Sequence, residues 1–398
     1  MDFAWKLAAL MAECGIGTRA LARRVPCDAA LISRLAHGRQ RPSAQMARRL
    51  DEVLGAGGDL VSAASASGAK LAGSQTAAEI SSGVLAERAM RARLGAFSAV
   101  QAEELISHLN EQWHALVKAD NLLGPRHALP GVINNLGVID ALLRAVRVPV
   151  RDVVVGLAAR YAESAAWLYE DSADMASARY WTRRAMEWAM EGNDRLMVSW
   201  TLFRRSQQAA PDRDSAQMAA LAAAARREAA VLPGPMLAAI LQQEAHAYAL
   251  DGEERACHSA LDRAHLMAAA ADDPGDASAG HGSFCTPAYL EMQRGACWLM
   301  LGRPARAVNV LEGSVRSLPP AYRRDCGVAL SHQAAALAAC GEPAQAATVA
   351  LKALDIARAS GSGRVLSMIS PVSAKLAPHR RIEEIAGLRD ALARTGAV

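Results

Sequence analysis

A pattern that returns at intervals close to 40 residues constrains this chain more than any other feature. A turn containing Gly, Asp or Pro is followed by a small residue, then a larger or apolar one, then Ala. It appears in DMASARYWTRRA (174–185), DRDSAQMAALAA (212–223), GEERACHSALDRA (252–264), GRPARAVNVLEGS (302–314) and GEPAQAATVALKA (341–353). The small residues at the shared position are Ala178, Ala216, Cys257, Ala307 and Ala346, which lie 38, 41, 50 and 39 residues apart. Such a period predicts stacked helical hairpins, none of which can bury its apolar face alone. The long interval carries DDPGDASAGHGSFCTP (272–287), expected as an exposed loop.

Composition agrees with a helical chain. Ala, Leu, Arg and Met favour helix, aromatics are only 4%, and no strand-like alternation persists. The expected class is all-α. Leu105, Ile106, Leu109, Trp113, Leu116 and Val117 form one helical face, and Val132, Ile133, Leu136, Ile139, Leu142 and Leu143 another, after a break at GPRHALPG (124–131). Asp120, Asn121, Arg126, His127, Asn134 and Asn135 cluster around that break, either to tie a helix junction together or to wall a ligand site. Ser, Ala and Gly dominate residues 62–83, so the predicted division is a domain at 1–62, a flexible connector at 63–83 and a helical domain at 84–398.

The first domain has its own logic. Phe3, Leu7, Leu10 and Met11 make a helical stripe in a segment too acidic for a signal peptide. Residues 18–43 then read as two short helices joined by a tight turn. The first should run over 18–25 and stop at Pro26, which lacks an N–H and pushes its predecessor out of the helical region. Asp28 is suited to cap the second, which should carry Ile32 and Leu35 inward, present Ala29, Ala30, Ser33, Arg34 and His37 outward, and stop at Gly38. Met46, Leu50, Val53, Leu54, Leu60 and Val61 should complete the core. Residues 19–49 hold eight arginines and one acid, a local +7 in a chain of net +4. A basic excess confined to one segment is what phosphate binding by counterion release needs.

LARRVPCDAALISRLAHGRQRPS resembles the Cro/repressor-type (XRE) helix-turn-helix through Leu21, Ala22, Asp28, Ile32, Ser33, Arg34, Gly38, Arg39, Pro42 and Ser43. Pro26 departs from the glycine usual at the turn. The resemblance implies that the second helix enters the major groove of double-stranded DNA. Ala29, Ala30, Ser33 and Arg34 would then face base edges, while Arg19, Arg39, Arg41 and the backbone near Asp28 would hold phosphates. Arg34 alone among the four could grip guanine with two hydrogen bonds; the bland alternative is a solvated surface arginine.

GACWLMLGRPARAVNVLEGSVRSLPP is similar to a tetratricopeptide repeat, with Gly295, Trp298, Gly302, Ala307, Leu311 and Pro319 at that family's small, large and terminating positions. The other repeats match more loosely. The expected fold is therefore a helix-turn-helix domain followed by a right-handed solenoid of helical hairpins. The first helix of each hairpin should line its concave face. Counting back from the shared small residues, that face should present Glu163, Trp167, Arg205, Gln242, Gln243, His246, Gln293 and His332, either as a surface for a peptide or other polar ligand or as ordinary interhelical bonding.

Motifs of catalysis are missing: the sequence has no P-loop, GxGxxG, HExxH or GxSxG. His258, His265, His281 and Cys285 do not make a four-ligand metal set at known spacing. No cofactor, metal or enzymatic activity is expected. No apolar run reaches the roughly 18 residues that span a membrane. Seven cysteines without a CxxC suit a reducing compartment, so the expected location is the cytoplasm. Nearly the whole chain, including WHALVKADNLLGPRHALPG and YAESAAWLYEDSADMASARYW, resembles large actinobacterial regulators of this layout. The resemblance implies a homodimer on an inverted-repeat operator, with the repeats sensing a peptide or other small ligand. A protein-interaction scaffold and a ligand-free repressor, in which the repeats only dimerise, are the alternatives.

Overall fold

The computed structural model describes residues 3–25, 27–36, 42–56, 58–61, 99–269, 281–319 and 322–395. They are helical throughout, with no strand among the described residues. The chain divides into two compact units, residues 1–89 and 90–398. The connector expected at 63–83 lies outside the described residues.

In the first unit α1 (Phe3–Glu13), α2 (Thr18–Arg24), α3 (Ala29–Ala36) and α4 (Ala44–Leu54) enclose one small core. Phe3, Leu7, Leu21, Val25, Ile32, Leu35, Leu50, Leu54 and Leu60 are all buried in it. α2 ends one residue before the expected Val25. That residue is extended (φ −108°, ψ 101°), as the position preceding a proline must be. Pro26 itself and the stop expected at Gly38 lie outside the described residues. Asp28 begins α3 by accepting a hydrogen bond from the Ala30 N–H at 3.0 Å. Ser43 does the same for α4 through the Met46 N–H at 3.1 Å. The periodicity does not reveal the role of Asp51, whose buried carboxylate accepts from the N–H groups of Gly58 (2.7 Å), Leu60 (2.8 Å) and Val61 (3.4 Å) and so fixes the chain behind α4.

The second unit is a succession of helical hairpins. α5 (Ala99–Leu123) pairs with α6 (Pro125–Ala145), α7 (Val150–Asp171) with α8 (Met175–Glu191), and α9 (Arg195–Ala209) with α10 (Ser215–Ala225). α11 (Gly234–Leu250) pairs with α12 (Glu254–Ala269), α13 (Pro287–Met300) with α14 (Pro304–Ser317), and α15 (Arg323–Cys340) with α16 (Pro343–Ser360). α17 (Gly363–Leu376) and α18 (Glu383–Ala393) end the chain. The break expected over 124–131 narrows to Gly124, because Pro125 opens α6 at a helix position whose N–H has no intrahelical acceptor anyway.

The turn chemistry repeats as well. Ala173, Asn193 and Arg213 take left-handed conformations (φ 64°, 49° and 54°), and each is followed by an aspartate, Asp174, Asp194 or Asp214, whose side chain caps the next helix. Ala178, Cys257, Ala307 and Ala346 are fully buried as the fourth residue of their helices. Ala216, expected as their equivalent, is exposed; the fourth residue of α10 is Met218, which is fully buried. With Met218 in register the intervals become 40, 39, 50 and 39. Between α13 and α14, Gly295 lets the helices meet closely, since a Cβ there would lie 2.4 Å from Leu311 Cγ.

The inner helices α7, α9, α11, α13, α15 and α17 touch in succession, and α17 returns to touch α7. The stack therefore closes on itself. Its seam is polar: Asp171 at the end of α7 accepts from Arg324 (2.8 Å), Ser362 (2.7 Å) and Arg364 (3.3 Å), and Arg324 also grips Asp120 through both terminal nitrogens at 2.7 and 2.6 Å. The backbone passes close here too, for a Cβ on Gly363 would lie 2.7 Å from the Ser172 carbonyl oxygen.

Candidate DNA-binding face and ligand cavity

On the first unit, burial separates the two faces of α3. Ile32 and Leu35 are buried, whereas Ala30 and Arg34 are exposed and Ser33 is half-buried. Ala29 also leans against the core, which limits what it can offer a groove. Arg19, Arg23 and Arg24 on α2 and Arg48 and Arg49 on α4 are exposed, as is Arg34 on α3, so basic side chains of all three helices stand in solvent. The N-terminus of α3, with the Asp28 cap, gives that helix a defined start from which side chains can be presented. Arg39, Arg41 and His37 lie outside the described residues.

Inside the ring of the second unit lies a cavity of about 500 Å³. Its walls come from α5, α6, α7, α9, the start of α13 with the segment before it, α15 and α17. Two of the expected ligand residues line it. Glu163 accepts a hydrogen bond from Trp200 Nε1 at 2.9 Å, and Trp167 donates through Nε1 to Asp120 at 3.2 Å. Trp167 stands among guanidinium groups: Arg364, Arg204 and Arg324 lie 4.9, 5.0 and 5.8 Å from its ring centre. Trp200 stacks on His281 at 5.1 Å, with Phe284 at 6.1 Å, and Arg160 lies over Trp113 at 5.3 Å.

The remaining expectations need correction. Arg205 is exposed and reaches Met186 Sδ at 3.8 Å; its neighbour Arg204 lines the cavity, because one residue turns the side chain by about 100° around a helix. Gln242, Gln243 and Gln293 are buried away from the cavity wall. Gln242 bonds His246 at 2.9 Å and Gln243 at 3.2 Å. Gln293, His246 and His332 come together across α11, α13 and α15, and burial pushes both histidines down to about 4, His332 adding to the effect on His246 and Arg364 to that on His332. The bonds of Gln242 and Gln243 thus stay within α11, while His246 meets Gln293 across α11 and α13. The polar cluster at the α5–α6 junction splits between its two readings. Asp120 and Asn121 face the cavity, whereas Asn135 bonds Gln112 (2.7 Å) and Tyr161 (3.1 Å) to hold helices together.

Sequence reasoning missed Arg160, Arg204, Arg324 and Arg364, which give the cavity its character. Burial works against the Asp171 carboxylate, but Arg364 and Arg324 outweigh it and hold the group below its ordinary range. Asp325, also on the wall, is pushed up by burial despite the same two arginines. His281, stacked on Trp200, is held below its usual range by burial. Among the described residues no group of three or more side chains is placed to hold a metal, and no helix is long and apolar enough to cross a membrane.

Residues 2–64 match the family model described as a helix-turn-helix domain. No curated protein and no solved structure matches the chain.

Proposed function

We propose that this protein is a sequence-specific transcriptional regulator of the Cro/repressor type whose helical ring, built of tetratricopeptide-like hairpins, senses a small ligand. The observation that carries the reading is the short, capped α3 with Ser33 and Arg34 on its outer side, flanked by exposed arginines on α2 and α4. The match of this unit to a helix-turn-helix family supports it. α3 enters the major groove, Arg34 reads a guanine, and Arg19 holds a phosphate. The protein acts as a homodimer on an inverted repeat whose half-sites lie about 34 Å apart. It works in the cytoplasm and catalyses no reaction.

A cavity of about 500 Å³ within the ring favours a small ligand, or at most a short peptide, over a protein partner recruited on a broad concave face. Such a ligand can switch the regulator only if it binds one arrangement of the dimer better than the other. Selection of genomic DNA fragments by the purified protein, followed by titration at two salt concentrations, tests the reading. Arg34→Ala should weaken the selected site by about 1–3 kcal/mol and relax one base pair, while Arg19→Ala weakens all sequences alike and flattens the salt slope. No sequence preference in the selected fragments, or indistinguishable effects of the two variants, would refute it.

A further inference from the structure

Three residues that line the cavity each keep one polar side-chain atom buried and without a hydrogen-bond partner: Arg204 Nε, Arg364 Nη2 and Ser283 Oγ. An atom left unbonded in this way carries the full desolvation penalty of its group. Three of them around one cavity are a set of positions for a bound molecule to fill. The Arg204 side chain is only 4% exposed, so bulk water does not satisfy it.

Their electrostatics are already settled. Arg204 Nε lies 3.6 Å from Glu163 Oε1, and Arg364 Nη2 lies 3.7 Å from Asp325 Oδ1, close enough for charge and too far for a hydrogen bond. Arg204 also pairs with Glu170 at 3.1 Å, and Arg324 with Asp120 and Asp171. What the arginines lack is an acceptor, not a counter-charge. A carboxylate entering here would add a surplus negative charge, since Arg160, Arg204, Arg324 and Arg364 already face Asp120, Glu163, Glu170, Asp171 and Asp325 on or beside the wall. A carbonyl or hydroxyl oxygen would complete the hydrogen bonds without one. The wall also carries four large aromatic rings, Trp113, Trp167, Trp200 and Phe284, beside the aliphatic Leu116, Val117, Val132 and Leu168.

On the reading that the helical ring is the sensor, we infer that its ligand is an uncharged, flat aromatic molecule bearing carbonyl or hydroxyl oxygens, held between tryptophans and hydrogen-bonded to Arg204, Arg364 and Ser283. A cavity of about 500 Å³ suits a molecule of drug size, and pockets of roughly 300–1,000 Å³ hold such ligands.

Matched probes test the chemistry on the full chain: flavone against flavone-8-carboxylate, and coumarin against coumarin-3-carboxylate, followed by quenching of tryptophan emission. The uncharged member of a pair should saturate at one per chain and bind at least roughly tenfold tighter than its carboxylate, the order expected when a charge is buried without a partner. Ser283→Ala should weaken it by roughly 3- to 10-fold without lowering the melting temperature, and Arg204→Lys, which keeps the charge and loses the Nε donor, should weaken it as well. Tighter binding of the carboxylates, no saturation by either uncharged probe, or affinities unchanged in both variants overturns the inference. Fragment selection with the same preparation separates the two ideas. Sequence preference with a failed probe series removes the ligand class alone. Saturable binding without sequence preference removes the regulator and leaves the cavity assignment standing.

Discussion

Arg324→Leu is the sharpest test of the closed ring. The wild-type guanidinium is 10% exposed and spans two carboxylates from α5 and α7, Asp120 (7% exposed) and Asp171 (fully buried). After the substitution Asp171 keeps Ser362 at 2.7 Å and Arg364 at 3.3 Å, but Asp120 keeps only Trp167 Nε1 at 3.2 Å. One buried carboxylate is thus left without a cation. Removing one partner of a buried pair costs about 3–5 kcal/mol. At roughly 2 °C per kcal/mol for a unit of this size, the melting temperature should fall by about 6–10 °C. Circular dichroism of the full chain reads this, since most of the helix belongs to the second unit. Arg316→Leu is the control, because its pair with Glu312 is exposed on both sides, and it should change stability by no more than about 0.5 kcal/mol. Adding Asp120→Leu to Arg324→Leu should recover part of the loss, as the orphaned charge goes with it. A loss below about 1 kcal/mol, or one equal to that of the control, would refute the argument that these charges hold the seam.

Three further outcomes follow from the same structure. Asp51→Ala strips the acceptor from the N–H groups of Gly58, Leu60 and Val61 and should destabilise the first unit by about 2–4 kcal/mol, read as faster amide exchange at buried Leu50 and Leu54. His246 and His332 titrate near 4 in the folded chain and near 6.5 when unfolded, so the unfolded chain binds more protons between those values. The stability they contribute is complete above pH 6.5 and falls with pH down to about 4, so denaturation midpoints should drop steadily across this window. Gly363→Ala places a methyl 2.7 Å from the Ser172 carbonyl and should cost about 1–3 kcal/mol, whereas Gly313→Ala, which meets nothing within 4 Å, should not lower the melting temperature.

Local features were legible in the sequence. The turns, the Asp28 cap and the apolar spacing of α1 to α4 act within a few residues, so composition and spacing suffice to place them. The repeat was legible from its small buried residues, but its register slipped at Ala216. That helix is SAQMAALAAAA, where alanines surround the packed Met218 and leave the inward position unmarked. Arg205 was a one-residue slip of the same kind, since Arg204 and Arg205 are chemically identical and only packing distinguishes them. The polar seam had no local mark at all. Arg324 and Asp120 are 204 positions apart, and nothing near either shows that the last hairpins return to the first.

A linear array of hairpins has two terminal units, each exposing an apolar flank, and it can lose one without disturbing those at the other end. Where α17 meets α7 and α16 meets α5, that freedom disappears. The order in which the hairpins are strung becomes incidental to the object they form. The chain of the second unit could be opened at the turn after α8 and its original ends joined by a linker long enough to run the length of α5, and the same ring should assemble from a rearranged sequence. Cutting one hairpin out should instead unravel the rest together, because a hoop missing a stave has no shorter stable form.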